Sequence, residues 1–473
     1  MKLQPQLIAG DVSAGVITGV DSIIVPKNSV ERAVNLVFDE VYGSAKVRKG
    51  STALGSQIEN ANVDGLFNYI DSNNVNNKLL ATINGTTYYY DSGSWLPSLI
   101  NDTAGLKTRF VTFLNEVARL NGTDAVKTWD GTGGWSLSGS LLNTAAFPNG
   151  TVAAVYKDQV CVAGVAGDPD AIYISSIPDA TTGNISWTSN NRKIGINPED
   201  NSNITGLGEV SDLLIIFKDR AMYRWNNRSI EADEIISVGC SSHESIATGA
   251  GMLFFFNQQG IWATSGGQPV RISRPVQDWI DGMSASYYDD VAGYSDGKYY
   301  YCSIGSVTIG TDSYSNVVLR YTIETKEWTV FSYANQFSRF ALYVTGGEEQ
   351  ILGGDTAGNV LQIESTATTD DGTNIAFELH TQNQEFGSKG TKKEINDRVM
   401  VYGKDLEVVQ LAVKIDDFEI VSLGEVTQNV DKIDLDGISG HYFKFIISGT
   451  NSTTRYQFKG LEFPSITLLD YEL

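Results

Sequence analysis

Histidine and cysteine are nearly missing from this chain, with three of each in 473 residues. Cys161, Cys240 and Cys302 are widely separated, and each sits in or beside an apolar run. An odd, sparse set without paired spacing argues against a disulfide framework and a cysteine zinc site, and it fits assembly in a reducing compartment. His243, His380 and His441 have no second ligand at metal spacing. No strand–turn–helix nucleophile motif accompanies them, so each is expected on the surface or hydrogen-bonded in the core. Long apolar runs are also lacking. The stretches at 213–217 and 252–256 are far too short to cross a bilayer, and Met1 to Gln6 has no signal-peptide apolar core. Basic residues are outnumbered, 34 Lys and Arg against 56 Asp and Glu, for a net charge of −22. Such a chain repels nucleic acid rather than holding it, although plain solubility explains the charge equally well. Helical periodicity is missing too, the best short candidate being 274–280, with Pro275 near its start.

What is present is a series of hairpins. The runs 78–83 and 86–90 flank Asn84-Gly85, the strongest short hairpin signal, because a type I′ turn needs positive φ at both centres. A second unit turns at Asn121-Gly122, and a third turns around Gly167-Asp168-Pro169. Others turn at Lys218-Asp219, at Gln259-Gly260 and at Ala357-Gly358-Asn359, and a sixth joins 298–304 to 317–321 through a longer polar loop. An isolated hairpin is marginal in water and must bury a face against a neighbour. Repetition of one such unit at about 40–50 residues is the signature of a β-propeller. Several units end in a polar turn followed by tryptophan, as in Tyr90-Asp91-Ser92-Gly93-Ser94-Trp95. All eight tryptophans fall between Trp95 and Trp328, where a large ring would seal one blade against the next. Asp91-Ser92-Gly93-Ser94-Trp95 also resembles a truncated Asp-box turn of sialidases and other propellers, a structural turn remote from any catalytic centre.

The expected fold is all-β, a propeller of about seven blades (six to eight) followed by a C-terminal β-sandwich. Residues 1–60 read as an N-terminal arm, part of which completes the last blade, with 61–365 the propeller and 366–473 the sandwich. Lys46-Val47-Arg48-Lys49-Gly50 is a basic patch, read as a solvated face slightly ahead of a contact with an acidic neighbour. A polar linker surrounds Asp370-Asp371-Gly372, beyond which tryptophan disappears and longer alternating strands begin, at 408–415, 442–447 and 456–463.

Carboxylates are so plentiful that pairing two as a glycosidase acid and base carries little weight. Asp370-Asp371-Gly372 and Pro198-Glu199-Asp200-Asn201 could form oxygen-rich calcium loops, but neither matches an EF-hand and both read better as polar turns. No phosphate-cradling glycine loop is present, since Gly249-Ala250-Gly251 precedes a strand-like run. No catalytic, cofactor-binding or metal-ligating residue is expected, and no cofactor. The long loops 188–203 and 305–316 are candidates for contacts between subunits. Tyr88-Tyr89-Tyr90 and Tyr287-Tyr288 are candidates for stacking on sugars.

Several stretches together resemble a family. They are the run from Gly167-Asp168-Pro169-Asp170-Ala171 through Ser186-Trp187, then Ile204-Thr205-Gly206-Leu207, Leu213 through Arg220, Tyr294-Ser295-Asp296-Gly297-Lys298, and Asp355-Thr356-Ala357-Gly358-Asn359. Arg398-Val399-Met400-Val401 in the C-terminal part is of the same kind. They look similar to bacteriophage tail β-propeller proteins, the nozzle and hub components of short-tailed phages. The resemblance implies a non-enzymatic structural virion protein, assembled in the host bacterial cytoplasm. It would form a ring with copies of itself around or at the end of the DNA conduit and contact other tail or head-tail proteins. Viral DNA would pass without sequence-specific binding. A receptor- or glycan-binding tail propeller is the alternative, and an envelope-polysaccharide glycosidase ranks last.

Overall fold

The Asn84-Gly85 turn is built as its residues demand, with φ of 49° and 82°, the left-handed pair of a type I′ hairpin. It joins Lys78–Ile83 to Thr86–Asp91. Val63–Tyr69 adds on one side and Ser94–Asn101 on the other to give a four-stranded sheet, blade 1. The computed structural model describes residues 2–19, 25–71, 77–136, 140–187, 192–200, 202–227, 231–387, 390–405, 408–435 and 437–469. Within them the same unit recurs. Blade 2 spans Arg109–Phe113 to Lys127–Trp129 as three strands, blade 3 Val152–Tyr156 to Arg192–Gly195, and blade 4 Ile204–Val210 to Asp233–Ile236. Blade 5 spans Ala247–Gly249 to Val270–Arg271, blade 6 Ala292–Ser295 to Trp328–Ser332, and blade 7 Phe337–Thr345 to Val360–Gln362. The first strand of each blade touches the first strand of the next, and that of blade 7 touches that of blade 1. The sheets therefore close into a seven-bladed ring, the propeller expected from the hairpin repeat.

The short apolar runs are the second strands of the blades, buried on both faces. Leu214 and Ile216 pack toward blade 3, while Ile215 and Phe217 pack toward blade 5. Leu253 and Phe255 face blade 4, and Phe254 and Phe256 face blade 6. Period-two geometry sends successive side chains to opposite sides, so a strand wedged between two blades reads as a continuous apolar stretch. The tryptophans close the seams. Trp95 Nε1 donates to Leu54 O at 2.9 Å, and Trp187, 1% exposed, donates to Leu142 O at 3.0 Å. Trp129 and Trp135 stack at 5.6 Å between centroids.

The last blade takes its outer strand from early in the chain, where Thr52–Ala53 pairs antiparallel with Val360–Gln362. The segment before it does not stand as an arm. Val30–Val34 lies parallel to Trp328–Ser332 of blade 6 on one side and antiparallel to Thr373–Thr381 on the other. One sheet thus runs unbroken from blade 6 through Val30–Val34, Thr373–Thr381, Phe443–Asn451, Val408–Ile415 and Glu419–Val426. Facing it is a second sheet in which Leu36–Val37, Ala45–Val47 and Gln6–Ile8 join Gln457–Phe463, Arg398–Lys404 and Val430–Asp434. Leu411, Val413, Phe445, Ile447, Val399, Val401 and Leu461 fill the space between these two layers of the sandwich. The chain crosses from one sheet to the other at Asn35, whose φ of 61° lies in the left-handed region that asparagine tolerates better than most residues.

Other expectations change in detail. Residues 305–316 are no loop. Tyr299–Ile309 and Asp312–Thr322 form one long ribbon that turns tightly around Gly310. Register shifts near Gly305 break the alternation, which is why the stretch reads as irregular. The ribbon reaches the sandwich, where Tyr314 donates to Glu378 at 2.6 Å and rests 4.9 Å from the Trp279 ring. Within 188–203, Arg192–Gly195 is the outer strand of blade 3, and residues 188–191 and 201 lie outside the described residues. The basic patch is only in part a solvated face, with Lys49 exposed and Lys46 partly so. Arg48 is fully buried, because an acidic neighbour, Asp370, waits for it inside the junction. The short helix is present as Gln277–Asp281, after a tight turn at Arg274–Val276 that carries Pro275 at its start. No helix among the described residues is long and apolar enough to cross a membrane.

Candidate functional site at the propeller axis

Seven blades bring seven first strands to one axis, and any polar side chain on them is concentrated there. Arg109 begins the first strand of blade 2, and Arg339 lies on that of blade 7. His243 and Glu244 sit on a tight turn just before blade 5. These four, with Leu66, Phe67, Thr108 and Phe110, line a cavity of about 140 Å³. Arg109 Nε donates to Glu244 Oε1 at 2.8 Å and its Nη1 to Thr151 O at 2.8 Å. Arg339 Nε donates to Asp64 O at 3.0 Å and stands 3.8 Å from Glu244 Oε2. The axis is thus occupied by a guanidinium–carboxylate–guanidinium group.

Burial pushes the Glu244 carboxyl up, but Arg339 and Arg109 outweigh it and hold it well below the usual carboxylate range. Burial, then Arg109, lowers His243 to about 4, so its imidazole is neutral near pH 7. A carboxylate so tightly paired is a weak general base, since proton transfer is most efficient with a pKa near the working pH. The chemistry these groups offer is ion pairing and hydrogen bonding.

Two more polar clusters lie off the axis, at the junction with the sandwich. Arg48 donates to Asn35 Oδ1 at 2.8 Å, to both oxygens of Asp370 at 2.8 and 2.6 Å, and to Ser332 O at 3.0 Å. Its guanidinium lies 3.8 Å from the Tyr333 ring centroid. Beside it, Arg320 bridges Asp39 at 2.8 Å and Glu364 at 2.9 Å, and Tyr301 donates to Glu364 at 2.6 Å. A groove of about 590 Å³ runs along this junction, walled by Tyr314 and Tyr333 and floored by Ala376, Glu378, Ser448 and Thr450.

The three histidines are not brought together. His243 is at the axis, His380 lies on Thr373–Thr381 with Nε2 3.7 Å from Glu378, and His441 contacts Asp416 at 3.3 Å. The three cysteines are buried as free thiols, and burial pushes Cys240 and Cys302 up to about 12. Among the described residues no group of three or more His, Cys, Asp or Glu could hold a metal ion. Asp370 serves Arg48, and Asp200 is tied to Lys218 at 2.6 Å, while Asn201 lies outside the described residues. The tyrosines considered for sugar stacking are all partly buried. Tyr89 lies against Trp129, Tyr90 against Trp95 and Tyr343, and Tyr288 against Phe256. Sequence reasoning missed the axial group because its members come from three blades with no local motif. The one available signal was a charge such as Arg339, set in the strand that opens a blade.

No family model matches the chain, and no curated protein matches it significantly. Solved structures similar to it include YCF48 bound to D1 peptide, at 11% identity and a TM-score of 0.42, covering 67% of this chain and 95% of that one. YCF48 from Cyanidioschyzon merolae is similar at 12% identity and a TM-score of 0.40, covering 66% of this chain and 98% of that one.

Proposed function

We propose that this chain is a non-catalytic structural subunit of a bacteriophage tail, set in a ring with copies of itself around or at the end of the DNA conduit. The observation that carries the reading is the sheet shared by blade 6 and the sandwich. It joins the two lobes through backbone hydrogen bonds rather than through a hinge, as a wall segment that must hold its shape requires. Two further observations support it. The propeller axis is crossed by Arg109, Glu244 and Arg339, which leave a cavity of only about 140 Å³, so the conduit in this reading lies between subunits and not through one disk. The acidic surplus lets a polyanion slide past without sticking, and other tail or head-tail proteins would meet the outer surfaces of the ring. The receptor-binding alternative draws no comparable support, because the tyrosines it relied on are partly buried and Tyr89 and Tyr90 are engaged by Trp129 and Trp95. The test is cryo-electron microscopy of purified particles. A cyclic density at the tail that accepts this propeller–sandwich unit is the expected result. Its absence from particles, with the protein only a free monomer in lysates, would overturn the reading.

A further inference from the structure

The axial cavity is lined by a buried guanidinium whose donors are not all used. Glu244 is already engaged by Arg109 and faced by Arg339. Asp64 offers Arg339 its backbone oxygen, and its carboxylate accepts from Asn62 at 2.9 Å. Arg339, 4% exposed, is left with an Nη2 that has no hydrogen-bond partner among the described residues, and His243 Nδ1 is in the same position. A guanidinium donor buried without an acceptor is costly, and charge-assisted bonds to an oxyanion are the strong remedy. The space is adequate, because about 140 Å³ equals roughly four or five water volumes, enough for one tetrahedral oxyanion. The lining is not sealed from solvent, since the Arg109 and Glu244 side chains keep 16% and 12% exposure.

We propose that the propeller axis is a binding site for a small oxyanion of the sulfate or phosphate type. Arg339 Nη2 donates to it and Arg109 contributes charge. The ion completes the axial plug, cross-linking blades 2 and 7 to the turn before blade 5. This proposal is independent of the tail assignment, since it concerns one subunit alone.

The experiment uses the full chain. Calorimetric titration with sulfate is run against sodium chloride at matched ionic strength, and crystals are grown with selenate so that selenium's anomalous signal locates the ion. Saturable 1:1 binding and an anomalous peak within hydrogen-bond distance of Arg339 Nη2 are expected. Arg339→Lys keeps the charge but loses the planar fork, and binding weakens by about tenfold or more. General stabilisation by sulfate through exclusion would act equally on both proteins and does not saturate. Heat no different from the chloride control, or a cavity containing only water in the selenate crystals, would overturn the proposal even if Arg339→Lys fails to fold.

Discussion

Arg48 and Asp370, 322 positions apart in sequence, meet as a fork-to-fork pair at 2.8 and 2.6 Å. Both are buried, at 0% and 3% exposure. The pair fastens three parts of the molecule, since Arg48 also reaches Asn35 at the crossing point and Ser332 at the end of blade 6. The next glycine is part of the same fit. A Cβ on Gly50 would stand 1.9 Å from Thr369 O, so only glycine lets these two backbones pass.

Removing one member of a buried ion pair strands the other charge, typically at a cost of about 3–5 kcal/mol. Asp370→Ala is therefore expected to lower unfolding stability by that order in urea denaturation. Replacing both, as Arg48→Met with Asp370→Leu, should recover much of the loss, because no charge is then left unpaired. A double variant as unstable as the single one would show that the remaining bonds of Arg48, and not its charge pairing, dominate.

The axial group sets the acid response. The folded His243 titrates at about 4 against an ordinary value of 6.5. Between those values the unfolded chain binds more protons than the folded one, so stability falls as pH drops from about 6.5 to about 4. Glu244, held low in the folded state, extends the loss below its ordinary value of 4.5. Denaturation midpoints measured from pH 8 to pH 4 should decline below 6.5, and His243→Gln should flatten that portion of the curve. A wild-type profile level down to pH 5 would contradict this.

Ring closure depends on a very short strand. Leu54 N–H donates to Val360 O at 2.8 Å, next to the Thr52–Ala53 pairing. Leu54→Pro removes that donor and forces the local backbone. Amide exchange at Val360–Gln362 should accelerate strongly, while the blade 4 strand Leu213–Lys218 remains protected. Equal acceleration in both would mean that the ring opens only by global unfolding.

The propeller was legible because its unit is local. Asn84-Gly85 and the apolar runs at 213–217 and 252–256 declare hairpins and doubly buried strands within a few residues. What stayed hidden is non-local. Nothing near Val30–Val34 announces partners at 330 and at 378–381. Arg48 looks solvent-facing because it stands between two lysines, and only the distant Asp370 reveals otherwise. Arg109, Glu244 and Arg339 converge through ring geometry, a property of the whole closed circle and of no single repeat.

The shared sheet also dictates an order of folding during synthesis. The sheet partners of Val30–Val34, Leu36–Val37, Ala45–Val47 and Thr52–Ala53 lie at residue 328 and beyond, apart from a local bridge between Val16 and Val30 and the small hairpin that Leu36–Val37 and Ala45–Val47 form together. On the ribosome, these strands must therefore wait for their sheets until most of the polypeptide has emerged. Early blades can stack as they appear, but sealing the circle and docking the second lobe are late, long-range steps. A nascent chain truncated before residue 328 leaves its own beginning with no sheet to join.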